Sequence, residues 1–189
     1  MLKKAIAIVL FVFLFAGTVS AIEFSADTIT TFKGEQQTKG KMYYKPDRFR
    51  MDMKVHEQMI VITRIDKKVL WNIMTEEKMY MEMPFNIQNK PMVEEKFEGE
   101  IERKHVGNET IDGHPTKKYL ITYKSGNKKE QLYHWWATDI NFGVKSAAID
   151  RSWIQEYKNV KIEPQPNSLF ELPAGYKKLQ MPGGMRYKE

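Results

Sequence analysis

Residues 41–84 read KMYYKPDRFRMDMKVHEQMIVITRIDKKVLWNIMTEEKMYMEMP. This stretch decides the fold. Phe49, Met51, Met53 and Val55 alternate with Arg48, Arg50, Asp52 and Lys54, and Met79, Met81 and Met83 alternate with Lys78, Tyr80 and Glu82. A period of two places each set on one face of a pleated strand. The spacing predicts strands at Met42–Lys45, Arg48–Val55, Met59–Arg64, Lys68–Met74 and Lys78–Met83. Pro46-Asp47, His56-Glu57, Asp66-Lys67 and Thr75-Glu76-Glu77 supply the turns between them. Met59-Ile60-Val61-Ile62 and Val69-Leu70-Trp71 are apolar on both faces, the mark of strands in the middle of a sheet. The reading is an antiparallel meander with a methionine-rich inner face.

Outward from this stretch the same grammar continues. Phe24–Phe32 and Gln37–Tyr44 precede it, joined by Lys33-Gly34, and Gly40 marks a bulge or a sharp bend. After it, Pro84 to Phe97 breaks the alternation, and Pro91 can open a short helix over Met92–Phe97 that lies across the sheet. Strands resume at Ile101–Thr110, His114–Lys124, Glu130–Thr138, Val144–Ile149 and Trp153–Ile162. Ile111-Asp112-Gly113 and Ser125-Gly126-Asn127 turn two of the hairpins. Asn167-Ser168-Leu169-Phe170 suggests one helical turn with an Asn or Ser cap. The expected class is mainly β: a strongly curved antiparallel sheet of about ten strands with one or two short helices, since so many strands must curl or close.

The first 21 residues fit a secretory signal. Lys3 and Lys4 precede an apolar run, and Val19-Ser20-Ala21 is a small-residue cleavage site. The run is shorter than the roughly 20 apolar residues of a membrane span. The expectation is a periplasmic protein cleaved after Ala21, leaving a single domain over 22–189 with a loose end around Pro182-Gly183-Gly184. There is no cysteine, so the chain has neither a lipid-modified cysteine nor a disulfide. The formal charge of +6 becomes 6 − 2 = +4 once Lys3 and Lys4 are removed. Its lysines are interspersed with glutamates, which fits a solvated surface, or transient contact with anionic lipid headgroups. No basic motif for nucleic acid is present, and none is expected of a secreted chain.

No residue pattern points to catalysis. No serine sits in a Gly-x-Ser-x-Gly elbow. His56, His105, His114 and His134 show no metal-ligand spacing. The paired glutamates Glu76-Glu77 and Glu94-Glu95 read as solvated turns. The eight methionines Met42, Met51, Met53, Met59, Met74, Met79, Met81 and Met83 have three readings. They are core packing, an adaptable apolar wall, or soft thioether ligands for Cu(I). Trp71, Trp135, Trp136 and Trp153 suit either the core or the mouth of an apolar cavity.

In order along the chain, several segments resemble the LolA/LolB-like family of periplasmic proteins. They are Phe24-Ser25-Ala26-Asp27, Lys39 to Tyr43, Arg48 to Met53, Asp66 to Trp71, Gly107 to Gly113, Lys118-Tyr119, Trp136 to Asp139, and Phe170 to Tyr176. Asn141 to Lys145 stands where the family has a Leu-Pro-x-Lys segment, and here the proline is absent. The resemblance implies a half-barrel with an apolar cavity that, in characterised relatives, carries acyl chains of lipoproteins. The expected function is therefore a non-enzymatic carrier without cofactor or metal, monomeric, with lipid or acylated protein as cargo and an envelope protein as a further partner. A methionine-rich copper-binding protein and a structural envelope-interaction module are the alternatives. Phe49, Met51, Met53, Met79, Met81, Met83 and Trp71 are the residues expected to line the cavity.

Overall fold

The computed structural model describes residues 22–54, 58–86, 90–96 and 99–179. The expected signal and its cleavage site, the loose end from residue 180 onward, and Val55, His56 and Phe97 lie outside the described residues. Among the described residues, twelve strands form one open, curved sheet. They are β1 (Phe24–Phe32), β2 (Thr38–Lys45), β3 (Arg48–Lys54), β4 (Gln58–Arg64), β5 (Val69–Met74), β6 (Met79–Pro84), β7 (Glu100–Ile111), β8 (His114–Ser125), β9 (Lys128–Ala137), β10 (Phe142–Ala148), β11 (Trp153–Ile162) and β12 (Lys177–Lys178). Their spatial order is β12-β6-β5-β4-β3-β2-β1-β11-β10-β9-β8-β7. Two meanders therefore meet where β1 pairs with β11. Every pairing is antiparallel except the short one between β12 and β6.

The turn chemistry explains the hairpins. Asp112 and Gly113 both take positive φ, 51° and 84°, between β7 and β8, as a tight hairpin turn of matching twist demands. Lys68 and Lys78 also take positive φ, ending the turns before β5 and β6. Gly40 does not mark a bulge. Its pairing with Thr28 and Met53 is regular. A Cβ there would lie 2.5 Å from the Asp52 carbonyl oxygen, so close approach of β3 is what requires glycine. The bulges fall elsewhere, between Ser25 and Asp27, Gly143 and Lys145, Glu100 and Glu102, and His105 and Gly107.

Cross-strand partners share a face, so the register sorts the side chains of β2 to β6. One face carries Met42, Met51, Met53, Met59, Met74, Met79, Met81 and Met83, all eight methionines of the stretch, with Tyr44, Phe49, Val61 and Leu70. The other carries Ile60, Ile62, Trp71 and Ile73, which pack beneath Phe170. Phe170 belongs to a single 3-10 turn, Asn167–Phe170, and Leu169, Leu172 and Tyr176 extend the cover. No side chain caps that turn. Asn167 instead accepts a hydrogen bond from Lys45 Nζ at 2.9 Å. Arg64, 4% exposed, ties the same segment down by donating to Glu171, to the Phe170 carbonyl and to Asp66.

This corrects the expectation that the methionine-rich face is the inner one throughout the meander. In β4 and β5 the deeply buried face is the isoleucine face, while Met59, Met74, Met79, Met81 and Met83 are only half-buried. Rigid β-branched side chains fill the closed layer and the methionines border a more open one. The methionine face becomes a true core toward the centre of the sheet. There Met42 and Tyr44 join Phe24, Phe49, Val93, Phe142, Val144 and Tyr157. Phe24 stacks on Tyr44 at 5.0 Å and meets Phe142 edge-on at 4.5 Å. Val93 comes from the segment 90–96, which crosses this face. The expected helix is absent from its described part, Met92–Lys96, which is a chain of bends. Hydrogen bonding to the sheet replaces helical bonding. Gly143 N donates to the Val93 carbonyl at 3.0 Å and Tyr44 Oη to Glu94 Oε1 at 3.2 Å.

Candidate apolar binding site

Where the segment 90–96 crosses the methionine face, it roofs a cavity of about 630 Å³. Phe49 and Met51 from β3 form one wall, and Trp153, Gln155 and Tyr157 from β11 form the opposite one. Thr30 and Phe32 of β1 and Ser146 of β10 supply floor, with Pro91 and Met92 above. The register explains the assembly. Thr28 pairs with Tyr157, Thr30 with Gln155 and Phe32 with Trp153, so alternate residues of both strands face the same way. Gly40 leaves β2 without a side chain beside Thr28 and Met53. The volume is within the common range for small-molecule sites, roughly 300–1,000 Å³.

Among the described residues lining the cavity, none carries a charge. Thr30, Gln155 and Ser146 among its polar lining residues are hydrogen-bonded within the protein. Thr30 Oγ1 donates to Gln155 Oε1 at 2.6 Å, and Thr28 Oγ1 lies 3.4 Å from the Met51 sulfur. Ser146 Oγ is 2.9 Å from Nδ1 of His134, which is fully buried behind it. Burial pushes the His134 pKa down to about 3, with a smaller contribution from Arg103, so the imidazole is neutral at neutral pH. Burial likewise raises the Tyr157 phenol well above its usual range. Gly143 sits where a Cβ would strike His134 and the Met92 carbonyl oxygen. The floor and the roof are thus packed against the same glycine.

Of the residues expected from the sequence, Phe49 and Met51 line this cavity. Met53, Met79, Met81 and Met83 share its face and lead from it toward the β6 edge. Trp71 does not belong with them. It stands on the opposite face, 6% exposed, and donates from Nε1 to Glu82 Oε2 at 3.0 Å. The local apolar run around Trp71 is dense on both sides, and only its pairing with Ile62 fixes which side it takes. On the opposite wall the sequence offered Trp153 for a cavity mouth, but not Gln155 or Tyr157, nor Thr30 and Phe32 of the floor, because β3 and β11 are far apart in the chain. The alternation of Trp153, Gln155 and Tyr157 was the available signal. Among the described residues no three His, Asp or Glu side chains gather to hold a metal.

The methionines have one further arrangement. Met53 pairs with Met59, Met59 with Met74, and Met74 with Met79, giving four thioethers in one row across four strands.

A family profile described as "Domain of unknown function (DUF4412)" matches residues 27–141. No curated protein matches the chain. Among solved structures, an uncharacterized conserved protein from Thermus thermophilus is similar over 85% of this chain and 91% of its own, with a TM-score of 0.57 and 10% identity. A LolA superfamily protein from Nitrosomonas europaea covers 80% of this chain and 90% of its own, at a TM-score of 0.39 and 9% identity. The lipoprotein LppX of Mycobacterium tuberculosis covers 75% and 88%, at 0.46 and 13%. The Thermus likeness is one of fold.

Proposed function

This chain belongs to the DUF4412 family, a domain of unknown function, and we propose that it is a non-enzymatic carrier of the bacterial periplasm that binds acyl chains of a lipid or lipoprotein. The observation that carries this reading is the uncharged cavity of about 630 Å³, continuous in face with a half-exposed methionine surface. An apolar chain displaces water there without stranding a buried charge. Methionine is unbranched and polarizable, so a wall built from it repacks around chains of different shape. The resemblance to LolA/LolB-like carriers supports the same conclusion.

A second reading rests on the row Met53, Met59, Met74 and Met79. Adjacent strands lie about 4.7–4.9 Å apart, and flexible thioethers at that spacing can converge on a soft cation such as Cu(I).

Native mass spectrometry of the protein purified from its own periplasm separates the readings. Co-purified acyl species, lost in Met51→Glu, are the expected result, because a carboxylate in the wall costs several kcal/mol of desolvation or a shifted pKa. A copper adduct lost in Met59→Leu with Met74→Leu favours the second reading. An empty, folded protein that pulls down an envelope complex overturns both in favour of a structural module.

A further inference from the structure

The cavity of about 630 Å³ has walls of two kinds. We propose that its ligand is a neutral amphiphile, an acyl chain ending in a hydroxyl-bearing or esterified head such as a glyceride, and not an ionised fatty acid. This rests on the carrier reading above and specifies its substrate class.

The described side chains that line the cavity include no lysine or arginine, and the imidazole behind Ser146 is uncharged. A carboxylate drawn in with its chain would be desolvated with no cation to meet it, and that loss outweighs the burial of several methylene groups. Nor is the Thr30–Gln155 pair arranged for an anion. The Thr30 hydroxyl already gives its proton to Gln155, and Gln155 Nε2 gives one to the Glu156 carbonyl at 3.3 Å. What Thr30 has left is acceptor capacity. That suits a ligand which donates, as an alcohol does, and a carboxylate cannot. Ser146 and Gln155 gather this polarity on the β10–β11 side, opposite Phe49 and Met51. The cavity therefore has an apolar wall for a chain and a neutral polar wall for a head.

The test compares 1-monolauroylglycerol with laurate, which share a chain length, by titration calorimetry at about pH 8, where a carboxylate is ionised. Monolauroylglycerol is expected to bind about tenfold tighter or more, the penalty falling on the unpaired charge. Gln155→Lys supplies a cation and is expected to tighten laurate about tenfold or more while leaving monolauroylglycerol little changed or weaker. Equal binding of the two by the wild-type protein overturns the head-group inference and leaves the carrier reading standing. Binding of neither overturns the carrier reading. If folded Gln155→Lys binds both as the wild type does, the head does not sit in this cavity, and the inference fails. The wild-type comparison decides the matter even if the variant does not fold.

Discussion

His134 shows how a single side chain reports on the site. In the sequence it is a histidine between aromatic residues on a strand; in the structure it is fully buried and hydrogen-bonded to Ser146 under the cavity floor. Its folded pKa of about 3 lies below the ordinary histidine value of 6.5. Between those values the unfolded chain binds a proton that the folded chain refuses, so stability falls as pH falls through that window and levels off below it. The slope approaches about 1.4 kcal/mol per pH unit for one proton. Asp66 works in a lower window. The hydrogen bonds from Arg64 hold its carboxyl down at about 2 against 3.8, so its contribution is present above about pH 4 and is lost on further acidification. Urea unfolding of wild type and His134→Gln between about pH 5 and 6.5 separates the two. The wild type should lose stability across that range, and the variant should lose less by the slope of one proton. Parallel curves would mean that folding does not lower the His134 pKa.

At the scale of elements, the segment after β11 does work that no strand does. Strands β4 and β5 have an isoleucine and tryptophan face that would otherwise meet water, and Phe170 closes it. Phe170 is fully buried although its 3-10 turn lacks a side-chain cap. What holds the turn is therefore packing and the Arg64 and Lys45 contacts, not local helical preference. Phe170→Ala is expected to cost about 3–5 kcal/mol, as removal of a fully buried phenylalanine does. Denaturant unfolding measures it. A loss of less than about 1 kcal/mol would show that the segment is a loose strap and that the isoleucine face tolerates solvent.

At the scale of the molecule, the chain builds one sheet with two differently closed faces. One face of β4 and β5 is sealed by the end of the described chain, and the other stays half-open along the methionines up to the roofed cavity. The outermost strand β7 is an edge of 12 residues bearing Glu100, Glu102, Arg103, Lys104 and Glu109, and edge charges of this kind discourage pairing with another chain. The expected protein is a periplasmic monomer beginning at Ile22. Cell fractionation with N-terminal sequencing, and light scattering of the purified protein, check this. An uncleaved chain retained in the inner membrane would overturn it.

The sequence by itself determined the strands and their faces. Alternation in Arg48–Lys54 and Met79–Met83 is a local property, because the pleat forces neighbours to opposite sides whatever the rest of the chain does. Asp112-Gly113 likewise carries its hairpin in its own backbone preference. The resemblance to LolA/LolB-like proteins implied a curved antiparallel sheet, and a curved antiparallel sheet is what forms. What only the tertiary structure decided is which face closes and with what. The sequence put Trp71 in the cavity wall; its pairing with Ile62 put it under Phe170 instead. Alternation separates two faces and does not say which will find a cover. The cover comes from residues about a hundred positions away, and so does the wall of Trp153, Gln155 and Tyr157 that meets Phe49 and Met51. Burial is a property of such distant encounters, and no local pattern encodes it.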